Sequence, residues 1–288
     1  MKIALPDLPF AYLKGISSTL KTLEDYCDID LFIWNSKKPL MDVLDEVKPD
    51  IAILYQHQAN IALDVAAESF NFNYIAITSS PLQLKKQPIA YITDKKYTAN
   101  FLNYQNNTLT VKPSANVAQI HNGRVSEILQ SDICIFNNDI QLGIEHSKIF
   151  RWLTTNYNTK IFGPQKVEYL QYLGDVNIFE RADAIASSKV CIDLGNFDCL
   201  DSSYLKVAPL VLNGDNPLYK NFKSIEQLEQ VVNPIIDHPK DRNKYCKTLY
   251  EDVIKNKTFY HRVAEIFTVI GDQTRANQCL NKLKELVS

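Results

Sequence analysis

Short apolar runs alternate with amphipathic stretches along the first 80 residues of the chain. Between the runs, apolar side chains recur at helical spacing, as at Leu13, Ile16 and Leu20. Apolar strands that alternate with amphipathic helices are typical of a parallel sheet with helices on both faces. The four apolar runs are KIALP, IDLFIWN, DIAILYQ and NYIAITSS.

A second alternating series follows a polar stretch, rich in Asn, Lys and Thr, between Pro81 and Gln119. We expect a domain boundary near Pro113, which divides the chain into residues 1–113 and 114–288. The second series also predicts a short helix at VEYLQYLG, a helix at SSYLKVA with a serine N-cap, and a closing amphipathic C-terminal helix. Its strands are SDICIFNND, TKIFG, KVCIDLG and PLVLNG.

This order predicts an α/β protein of two Rossmann-like domains that face each other across a cleft. Parallel sheets bind their ligands beyond the carboxyl ends of the strands. With two facing domains, that rule places the expected ligand site in the cleft.

The composition limits the class of function. A hydrophobic content of 45% and a net charge of -2 are ordinary for a soluble protein and give no argument for bulk nucleic-acid binding. No apolar run approaches the roughly 20 residues that a membrane span needs. The start, MKIALPDLPF, is a poor signal peptide, so we expect a cytoplasmic location.

Several common motifs of enzymes and metal sites are missing from the sequence. The six cysteines form no CxxC pair, and a zinc site has no ligand spacing to support it. Cys134 and Cys191 lie in strand-like runs, where buried free thiols are expected. No GxGxxG or Walker-type loop is present, so dinucleotide oxidoreductases and P-loop kinases have no support.

Four segments of the second half resemble the two-Rossmann-domain (GT-B) glycosyltransferases: SDICIFNNDI, HSKIFRWL, TKIFG and DHPKDRNKYCKTLYEDVIKNKTFYHRVAEIF. In the last of these, Thr258 and Arg262 match the closing pattern of the family. The chain is most similar to the spore-maturation-type glycosyltransferases and, in general plan, to phage DNA glucosyltransferases.

The resemblance implies that a sugar is moved from a nucleotide-diphosphate donor to a hydroxyl acceptor. It implies a donor site in the second domain and an acceptor site with a general base in the first. It also implies that no metal or other cofactor is needed, since the nucleotide sugar is a substrate. The acceptor stays open between a glycan, a protein and a modified nucleobase.

The chain departs from the family pattern on the donor side. Leu200 and Ser203 stand where the family has a cation and a glutamate, and the loop NNDIQLG is poor in glycine. Asp201 lies close enough to replace the glutamate. Asparagine donates hydrogen bonds, serines at a helix start attract anions, and lysine supplies a positive charge. The candidate donor-binding residues are Asn138, His146, Lys148, Gly163, Ser202, Ser203 and Lys206.

Two residues of the first domain are candidate general bases for the acceptor hydroxyl. His57 directly follows DIAILYQ, and Asp7 follows the first strand, so both are expected at strand ends. The alternative for each is a surface or helix-capping role. Ser79, Ser80 and Asp94 lie in similar positions after later strands.

Three interpretations therefore remain. The first is a glycosyltransferase. The second is a non-catalytic binding or scaffold protein that kept the fold and lost the donor chemistry. The third is another two-Rossmann enzyme, such as an epimerase that acts on nucleotide sugars.

Overall fold

The computed structural model describes residues 1–8, 10–35, 37–55, 69–70, 72–137, 144–164, 167–194 and 198–288. The described residues divide into two compact units, Met1–Pro113 with Phe259–Ser288, and Ser114–Thr258. Each unit is a parallel sheet with helices, which confirms the predicted α/β class. The predicted functional residues His57 and Asn138 lie outside the described residues.

The described part of the first unit contains a sheet of six parallel strands in the order β2-β1-β3-β4-β5-β6. The apolar runs form its centre, where Leu5, Leu54 and Ile75 have no exposed surface. The strands are β1 Lys2–Asp7, β2 Asp30–Asn35, β3 Ile51–Tyr55, β4 Asn73–Ile77, β5 Ala90–Thr93 and β6 Thr108–Thr110. Among the described residues before 113, the helices with given bounds are α1 Ala11–Thr22, α2 Glu24–Cys27 and α3 Leu40–Val47, with a 3-10 segment at Lys95–Asn107.

The described part of the second unit contains a sheet of five parallel strands in the order β8-β7-β9-β10-β11. Ile135, Ile192 and Leu210 form its fully buried centre. The strands are β7 Ser131–Phe136, β8 Thr159–Phe162, β9 Ser188–Asp193, β10 Ala208–Leu212 and β11 Lys220–Phe222. The helices are α4 Val117–Ile120, α5 Ile144–Asn156, α6 Ile178–Ala186, α7 Asp198–Tyr204, α8 Ile225–Asp237 and α9 Pro239–Asn256.

The last two helices, α10 Phe259–Val269 and α11 Gln273–Val287, belong to the first unit. The sequence prediction placed them in the second domain, as part of residues 114–288. They group with the first unit because their side chains bond to α1 and α2: the hydroxyls of Thr22 and Tyr260 lie 3.0 Å apart, and Arg275 Nε donates to the Cys27 carbonyl oxygen at 2.7 Å. The C-terminal helix thus closes the first unit.

The predicted helix at VEYLQYLG is wrong, because residues 167–174 contain no helix. This segment bonds instead to the free edge of β8. Ile161 N–H donates to the Gln171 carbonyl oxygen at 3.0 Å, and Leu173 N–H donates to the Ile161 carbonyl oxygen at 2.9 Å. The edge of the second sheet is therefore covered by an irregular strand-like segment.

The cysteines lie in the interior of the protein. Each of the six cysteines is buried and free, as predicted for Cys134 and Cys191. Those two thiols lie on paired residues of β7 and β9. Among the described helices, none combines the length and the apolar character that crossing a membrane requires.

The strand orders indicate where each sheet can bind a ligand. In both sheets the second strand lies on one side of the first strand, and the third strand lies on its other side. The topological switch points are therefore between β1 and β3 and between β7 and β9. Open parallel sheets bind ligands outside the carboxyl ends of the strands at such points. In the first unit these strands end at Asp7 and Tyr55, and in the second unit they end at Phe136 and Asp193.

Candidate functional site

Arg181 lies between an aromatic ring and a carboxylate at the switch point of the second unit. Its guanidinium carbon is 4.1 Å from the ring centroid of Phe136, at the end of β7. The same guanidinium forms an ion pair with Asp198, the first residue of α7. Asp198 is fully buried, and its Oδ2 has no hydrogen-bond partner among the described residues.

The helix that carries Arg181 is fixed at its start by a capping box. The Asn177 side chain accepts hydrogen bonds from the N–H groups of Phe179 and Glu180, at 2.9 and 3.1 Å. The Glu180 carboxylate accepts in return from Asn177 N–H at 2.9 Å. This reciprocal arrangement satisfies backbone donors that a helix start leaves free. Arg181 is therefore held by its helix as well as by its side-chain partners.

Two further carboxylates act on the same guanidinium or lie near it. Asp193, at the end of β9, is only 1% exposed. Asp201 accepts a hydrogen bond from Asn116 N–H at 3.0 Å. Burial raises the pKa of Asp201 above its usual range, although the positive charge of Arg181 opposes that shift. Within the described residues, this edge of the sheet holds more acidic than basic groups, which does not favour a diphosphate.

The helix that follows β9 does not begin where the sequence predicts. It begins at Asp198, and Asp193 Oδ2 accepts the N–H of Cys199 at 2.9 Å. Ser202 and Ser203 lie inside the helix and have no exposed surface. Their hydroxyls donate back to the carbonyl oxygens of Asp198 and Cys199. The predicted serine N-cap is therefore wrong, and the anion at this helix start is the carboxylate of Asp193.

Lys206 lies beyond the end of α7, two residues after Tyr204. Its backbone is left-handed, with a φ of 60°, and its side chain is exposed. The ammonium nitrogen is 4.4 Å from the ring centroid of Tyr250 on α9, a cation–π distance. Leu200 and Ser203 supply neither a cation nor a glutamate. The nearby cation, Lys206, is stacked on the ring of Tyr250.

Gly163 directly follows β8 and has a conformation that only glycine adopts easily. Its φ is 132°, and a Cβ at this position would lie 2.3 Å from the Asn137 carbonyl oxygen. Tyr172 donates its hydroxyl to the Gly163 carbonyl oxygen at 2.7 Å. Close backbone packing thus explains the glycine, and its contact with a nucleobase stays a prediction.

His146 and Lys148 lie near the start of α5, Ile144–Asn156. His146 is half-buried, and its Nδ1 has no hydrogen-bond partner among the described residues. Lys148 is exposed. A helix start attracts anions, so this pair has the chemistry to contact phosphate.

The first unit has a cavity of about 390 Å³ at the carboxyl ends of β3, β4 and β5. Two aromatic residues at the start of α1, Phe10 and Tyr12, line the cavity. The lining residues from the strand ends are Tyr55, Thr78, Ser79, Thr93 and Asp94. Sequence reasoning named Ser79 and Asp94 but missed Tyr55 and Thr93. Both are strand-ending residues, which is the signal that could have found them.

Asp7, one of the two candidate bases, is the last residue of β1 and is exposed. It lies at the same edge of the sheet as the cavity, although it is outside the described lining. Its position at the β1–β3 switch point keeps it a candidate. The other base, His57, cannot be placed because it lies outside the described residues.

Tyr12 connects the cavity to charged residues of α10. Burial raises the pKa of its phenol well above the ordinary value; Arg262 opposes this shift and Glu265 adds to it. Arg262 is 3% exposed, and its guanidinium donates to both carboxylate oxygens of Glu265 at 2.8 and 2.9 Å. Arg262, part of the closing pattern noted in the sequence, is thus close enough to act on the phenol of Tyr12.

Comparison with solved structures identifies the architecture. HepE from Anabaena, solved in complex with UDP and glucose, is 8% identical, with a TM-score of 0.63 over 94% of this chain and 99% of that chain. A glycosyltransferase from Rickettsia africae is 10% identical, with a TM-score of 0.58 over 100% of this chain and 98% of that chain.

The fold is GT-B. The same GT-B fold is shared by the UDP-GlcNAc 2-epimerase of Neisseria meningitidis, bound to UDP-GlcNAc, at 10% identity and a TM-score of 0.56. That likeness covers 99% of this chain and 100% of the epimerase. No family model and no curated protein matches the chain. These similarities extend over whole chains, so the GT-B assignment holds for both units.

Proposed function

We propose that this protein binds a nucleotide-diphosphate sugar and transfers the sugar to a hydroxyl acceptor. The observation that carries the proposal is the full-length GT-B likeness to HepE, which was solved with UDP and glucose. The cavity of the first unit supports it, because it lies at the strand ends where an acceptor would bind. The sequence resemblance to spore-maturation-type glycosyltransferases points to the same chemistry.

On the donor side, we place the diphosphate at the start of α5. Asn138, His146 and Lys148 would contact its oxygens, with the helix dipole adding to the attraction. His146 Nδ1 is the buried atom in this group that has no protein partner among the described residues. Gly163 would bring backbone close to the nucleobase.

In the proposed reaction, the bond between the anomeric carbon and the diphosphate oxygen breaks. A new bond forms between that carbon and the acceptor oxygen, and the nucleoside diphosphate leaves. The acceptor hydroxyl gives its proton to a base, for which Asp7 and His57 are the candidates. A base must lie within hydrogen-bond reach of that proton. Single substitutions of Asp7 and of His57 would show which of them acts as the base.

The test is a calorimetric titration of the full chain with UDP, GDP, ADP and CMP and with their sugars. One nucleotide should bind, and Lys148→Ala should weaken it about 10- to 100-fold, as expected for a charge-assisted hydrogen bond. Lys240→Ala is the matched control, because Lys240 is an exposed lysine in the first turn of α9. Equal losses in both variants, or no nucleotide binding, would contradict the proposal.

A non-catalytic GT-B protein is the second candidate, and the Arg181 contacts favour it. The guanidinium is engaged by Asp198 and Phe136, and the start of α7 is occupied by Asp193. This candidate predicts no turnover of any nucleotide sugar, with or without nucleotide binding. An epimerase would instead convert UDP-GlcNAc to its epimer without an acceptor, which NMR of the sugar detects.

A further inference from the structure

Asparagine directly precedes glycine at two places in the chain, Asn122–Gly123 and Asn213–Gly214. In such a pair the glycine nitrogen can attack the carboxamide carbon of the asparagine side chain, because glycine has no side chain to hinder the approach. Both asparagines are exposed, and neither side chain has a hydrogen bond to a described residue. Sequence and exposure therefore do not distinguish the two pairs.

The backbone nitrogens of the two glycines have different surroundings. Gly123 N–H donates to the Ile120 carbonyl oxygen at 3.0 Å, at the end of α4. Gly214 N–H has no hydrogen bond to any described residue. A nitrogen whose N–H is held in a hydrogen bond must leave that bond before it attacks, and this has an energetic cost. The Gly214 nitrogen is therefore the more available nucleophile.

Asn213 lies where the chain leaves the second sheet. It directly follows β10, and its φ of 54° is in the left-handed region that residues other than glycine seldom adopt. Its N–H donates to the Phe222 carbonyl oxygen, at the end of β11, at 2.9 Å. The carboxyl end of β10 belongs to the edge at which open parallel sheets bind ligands. A chemical change at Asn213 would thus act on that edge and on β11.

We propose that Asn213 is a site of spontaneous deamidation. The Gly214 nitrogen loses its proton and forms a bond to the carboxamide carbon of Asn213, and the side-chain nitrogen leaves as ammonia. Water then opens the resulting succinimide ring at one of its two carbonyl carbons, which gives aspartate or isoaspartate. Water is the co-reactant, and no electrons are gained or lost. The reaction is independent of the proposed transferase function.

The two products differ in their effect on the backbone. Both place a negative charge after β10, where the asparagine was neutral. In isoaspartate the main chain also runs through the former side chain and is longer by one carbon atom. The longer backbone changes the position of the N–H that donates to Phe222. We therefore expect isoaspartate to loosen the edge strand β11, and aspartate to leave it in place.

The experiment is a timed incubation of the full chain at mildly alkaline pH, followed by peptide mapping with mass spectrometry. Conversion raises the mass of the Asn213 peptide by one dalton and gives isoaspartate as well as aspartate. Asn213 should react about 2- to 12-fold faster than Asn122, the range of the one hydrogen bond that holds Gly123 N–H. In the chain unfolded by urea the two rates should become equal, because that hydrogen bond is lost.

Hydrogen exchange tests the effect on the sheet. After incubation, the isoaspartate form should exchange faster in residues 220–222 than freshly prepared Asn213→Asp, which carries the charge on a backbone of normal length. Residues 159–162, which form β8, are the internal control and should exchange equally in the two proteins.

Three results would overturn the inference. The first is an unchanged Asn213 in the folded chain over a time in which the unfolded chain reacts. The second is a folded chain in which Asn122 reacts as fast as Asn213. The third is a product that contains aspartate without isoaspartate, because attack by the Gly214 nitrogen gives both. Equal exchange of residues 220–222 in the two proteins would contradict the expected loosening of β11.

Discussion

At the residue scale, Gly163 combines a left-handed backbone with close packing. Its φ of 132° disfavours any side chain, and a Cβ would lie 2.3 Å from the Asn137 carbonyl oxygen. We expect Gly163→Ala to lower the free energy of unfolding by about 2–4 kcal/mol, because backbone strain and overpacking add. Urea denaturation measures the loss.

Gly174 is the matched control for that substitution. Its φ is 93°, but nothing lies within 4 Å of a Cβ built there. Gly174→Ala should therefore lose only the backbone component, about 1 kcal/mol. Equal losses at the two glycines would show that the contact with Asn137 carries no energy.

Asp201 gives a prediction about pH at the same scale. Its pKa in the folded protein is raised above the unfolded value by burial, so the folded state binds more protons between the two values. Stability should therefore fall as the pH rises from about 4 through the raised pKa. Asp201→Asn removes the titrating group and keeps an acceptor for Asn116 N–H. In urea denaturation, the difference in unfolding free energy between the variant and the wild type should favour the variant more at pH 7 than at pH 4. An equal difference at the two pH values would contradict this prediction.

At the element scale, the capping box of α6 can be tested directly. Asn177→Ala removes the side chain that accepts from two backbone N–H groups, and we expect a loss of about 1 kcal/mol in unfolding free energy. Asn177→Asp should keep most of the stability, because aspartate caps helices equally well. A similar loss in both variants would mean that the cap is not the stabilising feature.

The central strands of both sheets were predictable because buried parallel strands are short, apolar and separated by amphipathic helices. The short edge strand β11, Lys220–Phe222, was not predicted. The start of α7 was not, since its cap is Asp193 on the preceding strand rather than a local serine. The segment at residues 167–174 has helical spacing of its apolar residues, but it bonds to the edge of β8. Tertiary hydrogen bonds decided both cases, and a sequence pattern does not contain them.

At the scale of the whole molecule, the chain returns to its first unit at Phe259. Tyr260 is 1% exposed, and its hydroxyl meets that of Thr22. We expect Tyr260→Ala to remove about 3 kcal/mol of local stability. Hydrogen exchange should then speed up more in residues 11–22 than in residues 131–136.

Leu249→Ala is the reciprocal control, because Leu249 is 1% exposed and lies on α9 of the second unit. It should speed up exchange more in residues 131–136 than in residues 11–22. Equal changes in both ranges for either variant would contradict the division into units. The position of residues 259–288 was not readable from the sequence, because an amphipathic helix does not specify which apolar surface it covers.

The carboxylate of Asp193 at the start of α7 also has a consequence for competition between anions. It belongs to the same chain as the helix, five residues before Asp198 in the sequence, which gives it an effective concentration in the millimolar range or above. A nucleotide sugar at a lower concentration in solution would have to displace this carboxylate to bind at the same helix start. The start of the helix after β9 is thus already occupied by a carboxylate of the chain itself.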